Sequence, residues 1–306
     1  MSKNKVLVAV DKSGSYRVYL TITTAMVEEA RVVHGCTPLA TACLGRVLTA
    51  TGLMAQDLKA DDNRMTVIFK GDGEAKEILA TAYGDGRIKG YISNPQVDMP
   101  LRTDCKLDVG GAIGIGELTV IKDFGLKDPY IGQIALVNGE IAEDLTAYYY
   151  ISEQQNTSIS LGVKVGKNLS VLSAGGMFLQ LLPNCDERVI EVLEKCLGEM
   201  KPISQLIEAV QLRSVGKTDN AILEELLKYM FATIDEEFMP ETLDFKEIDY
   251  TCDCSRDRMH DALMTIGKSD LEEILKEDGQ AELVCNFCNE RYLFNADDIK
   301  EMIDSI

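Results

Sequence analysis

The chain has 306 residues, of which 46% are hydrophobic, and it carries a formal net charge of −19. This length and apolar fraction suffice for two domains, or for one large domain with a small appendage, around a real core. The charge arises from 50 acidic against 31 basic residues. Because such a surface repels the phosphate backbone, a nucleic-acid partner is disfavoured.

The apolar stretches are too short for export or for membrane insertion. Near the N-terminus, Val6 to Val10 ends at Asp11, which is far short of a signal-peptide core. Residues 169–183 are interrupted by Ser173 and by two glycines, and fall short of the roughly 20 residues that a membrane helix needs. We therefore expect a cytoplasmic protein that does not bind or span membranes.

Residues 1–185 are predicted to form a mixed α+β core domain. Alternating apolar residues and Gly-Asp-Gly turns predict short strands at 65–70, 89–93, 117–122 and 131–137. Apolar residues at helical spacing predict a long buried helix over 37–59 and a second helix over 143–153.

Residues 186–249 are predicted to form an amphipathic helical linker. Apolar residues recur there at intervals of three and four, with acidic residues between them. Thr218 is the expected N-cap of the third helix, and 234–245, which contains Pro240, is predicted to be an acidic connector. Such helices are marginal alone and stable only when docked, so they can be released at modest cost.

Nine cysteines in a chain without an export signal are expected to be mostly reduced, which directs attention to metal ligation or redox chemistry. Four of them form a Cys-x-Cys pair, Cys252 and Cys254, and a Cys-x-x-Cys pair, Cys285 and Cys288. Two short loops that each present two sulfurs at about 2.3 Å from the ion make a tetrahedral zinc site. The remaining five are predicted to be buried structural thiols: Cys36, Cys43, Cys105, Cys185 and Cys196.

Residues 250–306 are predicted to form a small zinc-binding domain, because a domain of fewer than about 70 residues usually needs a disulfide, a structural metal or another added constraint to stay folded. His260 is an alternative ligand, disfavoured because four sulfurs already fill a tetrahedral site. Each cysteine pair is close enough along the chain to oxidise to its own disulfide, and zinc would be lost with the thiolates. Structural zinc binds small domains with an apparent free energy of about 10–16 kcal/mol, so its release should unfold the domain. A permanently folded, purely structural zinc ribbon remains the alternative.

The motifs around these cysteines resemble those of a known family. Cys252-x-Cys254-Ser255-Arg256 and the later Cys285-x-x-Cys288-x-x-x-Tyr292-x-Phe294 are similar to the zinc module of the redox-regulated 33 kDa heat-shock chaperones, which are bacterial holdases. Three N-terminal stretches resemble the same family: HGCTPLATACLGRVLTATGLM at 34–54, KDFGLKDPYIGQIALVNGEIAEDLTAYYYISEQ at 122–154 and AGGMFLQLLP at 174–183. The resemblance covers almost the whole chain.

This resemblance implies an ATP-independent stress-response chaperone that is a quiescent monomer when reduced and zinc-bound. Oxidants such as peroxide or hypochlorous acid are implied to form the disulfides Cys252–Cys254 and Cys285–Cys288 and to release zinc. The C-terminal module and the linker are then expected to lose order, to bind unfolded or misfolded client proteins and to form a homodimer. Cys185 and Cys196 depart from the family pattern, which leaves the full disulfide map open.

Two other classes of function compete with this interpretation. An enzyme is disfavoured because His34 and His260 are the only imidazole bases and no Gly-x-Ser-x-Gly elbow is present. The glycine-rich run at 110–116 lacks the Gly-Lys-Ser/Thr ending of a phosphate loop, so a tight turn or bulge is expected there. A permanently folded zinc-ribbon adaptor for a protein or a nucleic acid remains the alternative. Retention of zinc under peroxide would support the adaptor.

Overall fold

The computed structural model describes residues 4–183 and 185–306. The chain divides into two compact units, one that runs to Tyr250 and one formed by Thr251–Ile306. The strands of the first unit are β1 (Asn4–Asp11), β2 (Tyr16–Ile22), β3 (Arg64–Gly71), β4 (Glu77–Tyr83), β5 (Arg87–Ile92), β6 (Gly116–Asp123), β7 (Tyr130–Ala135), β8 (Thr157–Val165), β9 (Val171–Leu181) and β10 (Pro240–Tyr250). Its α-helices are α1 (Thr24–His34), α2 (Pro38–Met54), α3 (Val109–Ile113), α4 (Ala142–Ser152), α5 (Glu187–Gly198), α6 (Ile203–Arg213) and α7 (Asp219–Met230).

One ten-stranded sheet organises the first unit, in the order β7-β6-β3-β4-β5-β10-β1-β2-β9-β8. Neighbouring strands are antiparallel except for a short parallel contact between β5 and β10, where Asp249 and Tyr250 pair with Arg87 and Ile88. This mixed sheet with helices on it confirms the predicted α+β class.

The long helix α2 lies in the core of this unit. Thr37 caps it by accepting a hydrogen bond from the Ala40 N–H, and Pro38 occupies the first turn, where no N–H is needed. Fifteen of its 17 residues are buried. Residues Pro38–Asp57 are long and apolar enough to cross a membrane, with a mean hydropathy of 1.2, but 89% of that window is buried inside the protein. The apolar character of the helix is therefore explained by its place in the core.

The central strands have two apolar faces, because successive side chains of a strand point to opposite sides. In β1, Val6 packs in the cluster around α2, whereas its neighbour Leu7 packs in the cluster formed with α5, α6 and α7. Tyr19 and Leu20 of β2 divide between the two clusters in the same way. The three amphipathic helices thus cover the second apolar face of β1, β2 and β9.

Several predicted elements are confirmed. The four predicted strands correspond to β3, β5, β6 and β7, the two predicted core helices to α2 and α4, and the linker helices to α5, α6 and α7. Thr218 caps α7 as expected, accepting a hydrogen bond from the Ala221 N–H. The glycine-rich run differs from the prediction, since its first part lies in the short helix α3 and the turn follows at Gly114, where φ is 77°.

The acidic connector predicted over 234–245 is wrong in its second half, because residues 240–245 belong to β10. This strand pairs with β1 along its length, from Pro240 opposite Asp11 to Ile248 opposite Asn4. Pro240 is tolerated as the first residue of the strand. Since β10 lies within the sheet, the helical region and the core share one compact unit, and the division at residues 185 and 249 stays a prediction.

The five scattered cysteines fall into two groups. Cys36, Cys43 and Cys196 are buried, as predicted. Burial raises the pKa of Cys36 and of Cys43 to about 12, so these thiols stay protonated and unreactive. The prediction of a buried thiol is wrong for Cys105, which is exposed in a loop between β5 and α3. Cys185, just before α5, is only half-buried.

The second unit is small and contains little apolar core. Its elements are α8 (Arg256–Met264), α9 (Lys268–Glu277), β11 (Ala281–Val284), β12 (Arg291–Phe294) and α10 (Ala296–Ser305). β11 and β12 form an antiparallel hairpin. Its apolar cluster contains six buried side chains: Leu263, Leu271, Phe294, Ile299, Met302 and Ile303.

Candidate metal centre

Two short loops of the second unit carry the four cysteines predicted to bind metal. Cys252 and Cys254 immediately precede α8. Ser255 caps this helix by accepting a hydrogen bond from the Arg258 N–H, which fixes where the first loop ends.

Cys285 and Cys288 lie in the turn between β11 and β12. The Cys285 N–H donates to the Glu290 carbonyl at 2.9 Å, and the Asn289 N–H donates to the Cys285 carbonyl at 2.8 Å. Asn289 has a φ of 59°, a left-handed conformation that asparagine adopts more readily than most residues. The turn is tight enough to bring both sulfurs to one site.

The four cysteine sulfurs converge. Sγ of Cys252 lies 3.6 Å from Sγ of Cys285, and Sγ of Cys254 lies 3.3 Å from Sγ of Cys288. All four atoms lie within 4.8 Å of one another. A tetrahedron with zinc–sulfur bonds of about 2.3 Å has edges of about 3.8 Å, so the observed spacing fits a tetrathiolate site.

His260, the alternative ligand, does not join this group. The ligand cluster found among the described residues consists of the four cysteines. The Nδ1 atom of His260 instead lies 3.3 Å from Asp261, in an exposed pair.

The electrostatics of the free thiols show why this site suits a cation. Burial raises the pKa of the Cys288 thiol to about 11 and raises that of Cys252 further. Burial also acts to raise the pKa of Cys254, but hydrogen bonds from Tyr292 and from the neighbouring thiols outweigh it and lower that pKa. Several thiolates this close repel one another, so the cluster can lose all its protons only when a cation compensates the charge.

Groups around the sulfurs hold the site together. The backbone N–H groups of Cys254 and Glu290 donate to the sulfurs of Cys252 and Cys288. The Tyr292 hydroxyl lies 3.1 Å from Sγ of Cys254. The sequence identifies Tyr292 only as part of the family motif, because nothing in the residue spacing predicts that its hydroxyl contacts a cysteine sulfur.

Arg256 is a second residue whose role the sequence did not predict. Its guanidinium donates to the Leu293 carbonyl at 2.7 Å and to the Asp298 carboxylate at 2.9 Å. The same group lies 4.4 Å from the centre of the Phe294 ring. Arg256 therefore joins the helix after the first cysteine pair to the strand and helix after the second pair.

Comparison with known proteins identifies the family. The model of the family described as Hsp33 protein matches residues 4–295 of this chain. The chain belongs to the Hsp33 family. A protein named 33 kDa chaperonin from Clostridium beijerinckii is 45% identical, with 99% of each chain covered, and one of the same name from Clostridium tetani is 44% identical, with 98% of each covered.

The fold agrees with this assignment. The crystal structure of a 33 kDa chaperonin, a heat shock protein 33 homolog from Thermotoga maritima, superposes with a TM-score of 0.86 at 33% identity and covers 99% of both chains. Membership of the Hsp33 family confirms the resemblance found in the sequence and identifies the chain as a chaperone.

Proposed function

We propose that this member of the Hsp33 family is a redox-regulated, ATP-independent holdase without catalytic activity. One zinc ion would be held by Cys252, Cys254, Cys285 and Cys288, where its charge neutralises the thiolates and fixes the two loops. The single observation that carries the proposal is the convergence of these four sulfurs within 4.8 Å.

The proposed cycle begins with a reduced, zinc-bound, quiescent monomer in the cytoplasm. Oxidation forms the disulfides Cys252–Cys254 and Cys285–Cys288 and removes the thiolates that bind zinc. The oxidised chain then binds unfolded or misfolded clients and dimerises. The family membership and the paired spacing of the cysteines support this cycle.

The size of the second unit supports coupling between zinc and folding. Six buried apolar side chains form its cluster, and a core this small rarely stabilises a domain alone. Structural zinc contributes about 10–16 kcal/mol in small domains, so losing the metal removes most of what holds such a unit folded. Oxidation of the thiolates is thus expected to act as an unfolding step.

The first unit contains an apolar surface suited to client binding. The helices α5, α6 and α7 cover the face of the sheet that includes Leu7, Leu20 and Met177, each fully buried. Undocking these helices would expose a contiguous apolar surface, and such surfaces bind other proteins. The net charge of −19 favours solubility while a client is held.

The strand β10 limits how much of the linker can be released. The chain enters the helical region after β9, which ends at Leu181, and returns to the sheet at Pro240. Both ends are held by strands inside the sheet, so the segment that can undock without breaking strand pairing ends near Met239. We therefore propose that 186–239 is the mobile part of the predicted linker.

Zinc release and chaperone activity, measured on the same sample, test this function. The reduced, zinc-loaded protein is treated with peroxide at elevated temperature while a chromophoric chelator reports free zinc. Light scattering of a thermally unfolding protein reports aggregation, without nucleotide. We expect release of about one zinc per chain together with the onset of aggregation suppression.

Two outcomes would contradict the proposal. Zinc retained under peroxide would favour a permanently folded zinc-ribbon adaptor. Equal suppression of aggregation by the reduced and the oxidised protein would show a chaperone without a redox switch.

A further inference from the structure

Three sulfurs of the cysteine cluster differ in the kind of hydrogen-bond donor that contacts them. Cys252 and Cys288 receive backbone N–H groups, from Cys254 and Glu290, which belong to the loops themselves. Cys254 has a side-chain donor, the Tyr292 hydroxyl, at 3.1 Å from Sγ. A backbone donor is present whatever the sequence, whereas this contact depends on a single oxygen atom.

Tyr292 is held firmly enough to act on that sulfur. It lies in β12, where its backbone is paired with Leu283 of β11. Its half-buried ring packs against the apolar cluster of the second unit. The hydroxyl is therefore positioned by the hairpin and by ring packing, and it stays beside Cys254 as long as this unit is folded.

We propose that Tyr292 is a positioning residue that slows oxidation of Cys254 by donating a hydrogen bond to its thiolate sulfur. This inference rests on the proposed redox function. The bond is strongest while the sulfur carries its full negative charge, and it weakens as the sulfur gives up charge to an attacking oxidant. An interaction that stabilises the reactant more than the transition state raises the barrier.

The oxidation concerned consumes a hydroperoxide. The Cys254 thiolate attacks one peroxide oxygen, so that an S–O bond forms, the O–O bond breaks and the departing hydroxide takes up a proton. The Cys252 thiolate then attacks the resulting sulfenic sulfur, an S–S bond forms, the S–O bond breaks, and the second hydroxide is also protonated. Two thiolates lose two electrons, and one peroxide with two protons becomes two waters.

Replacing Tyr292 by phenylalanine removes the donor and keeps the ring. The test uses full-length, reduced, zinc-loaded protein and measures loss of free thiol at each cysteine by timed alkylation and mass spectrometry after peroxide addition. Tyr292→Phe is expected to oxidise at Cys254 about threefold to tenfold faster, the factor that corresponds to one hydrogen bond of ordinary net strength. The share of the Cys252–Cys254 disulfide at early times should rise accordingly.

Two controls separate this effect from general loosening. Tyr150→Phe makes the same chemical change at a tyrosine that is 69% exposed on α4, and it should oxidise like the unchanged protein. Zinc transfer to a chelator without peroxide should be the same for Tyr292→Phe and the unchanged protein.

The results that would overturn the inference are specific. An unchanged rate of thiol loss at Cys254 in Tyr292→Phe would overturn it. So would zinc transfer without peroxide that is faster by the same factor, because Tyr292 would then act on metal retention. If Cys254 reacts faster in the variant but zinc stays bound in every protein, the inference stands and the proposed zinc-release switch fails.

Discussion

Replacing Cys285 by serine removes one proposed zinc ligand from the buried side of the site. Sγ of Cys285 lies 3.6 Å from that of Cys252, and the residue is 4% exposed, so no water-exposed group can easily take its place. Structural zinc binds with an apparent free energy of about 10–16 kcal/mol through four ligands, which is about 2.5–4 kcal/mol for each. We therefore expect zinc affinity to fall by a factor of about 10²–10³.

Competition with a chromophoric chelator under reducing conditions measures this loss, and limited proteolysis of the second unit reports its folding. Cys105→Ser is the matched control, because it makes the same change at an exposed thiol outside the site. Cys252→Ser should behave like Cys285→Ser. A zinc affinity within about tenfold of the unchanged protein, with the second unit still resistant to protease, would refute tetrathiolate ligation.

Three further predictions follow from the same structure. Chelating zinc under reducing conditions should make Thr251–Ile306 protease-sensitive and leave the first unit intact; a protected second unit would show that zinc is dispensable for its folding. Burial raises the pKa of the free Cys288 thiol to about 11, so zinc must displace protons from the site near neutral pH. The affinity of the site for zinc should therefore fall at least about tenfold from pH 7 to pH 6. A zinc affinity that does not change with pH would argue against thiolate ligands. Phe231→Ala removes a fully buried ring that stacks on Tyr16 with the ring centres 6.1 Å apart, and it should lower the free energy of unfolding by about 3–5 kcal/mol. We expect the reduced variant to show partial activity in the light-scattering assay. A reduced variant that is stable but inactive would show that helix docking does not control activity.

The metal site could be predicted from the sequence because its information is local. Two cysteines one or two residues apart already share a loop, so spacing alone indicates that they act together. The contacts of Tyr292 and Arg256 depend on how the hairpin packs against α8 and α10, which no spacing encodes. The exposure of Cys105 was missed for a related reason, since a residue's average burial says nothing about a particular loop.

The fold was predicted where periodicity is strong and missed where pairing is distant. The helices α5, α6 and α7 show a clear apolar period and were found. Five of the eleven residues of β10 are exposed, four of them charged, and its partner β1 lies more than two hundred residues earlier in the chain. Its acidic composition favours a connector, and only pairing with β1 makes it a strand.

The position of β10 also explains how a switch can act without destroying the protein. The cluster around α2 includes residues from both end strands of the sheet, Ile134 of β7 and Ile159 of β8, and contains no residue of α5, α6 or α7. Undocking these helices would therefore leave one full face of the sheet packed, while β10 keeps β1 joined to β5. The proposed active state is thus a folded sheet with one apolar face exposed, and the loss of order is confined to the helices and to the zinc unit.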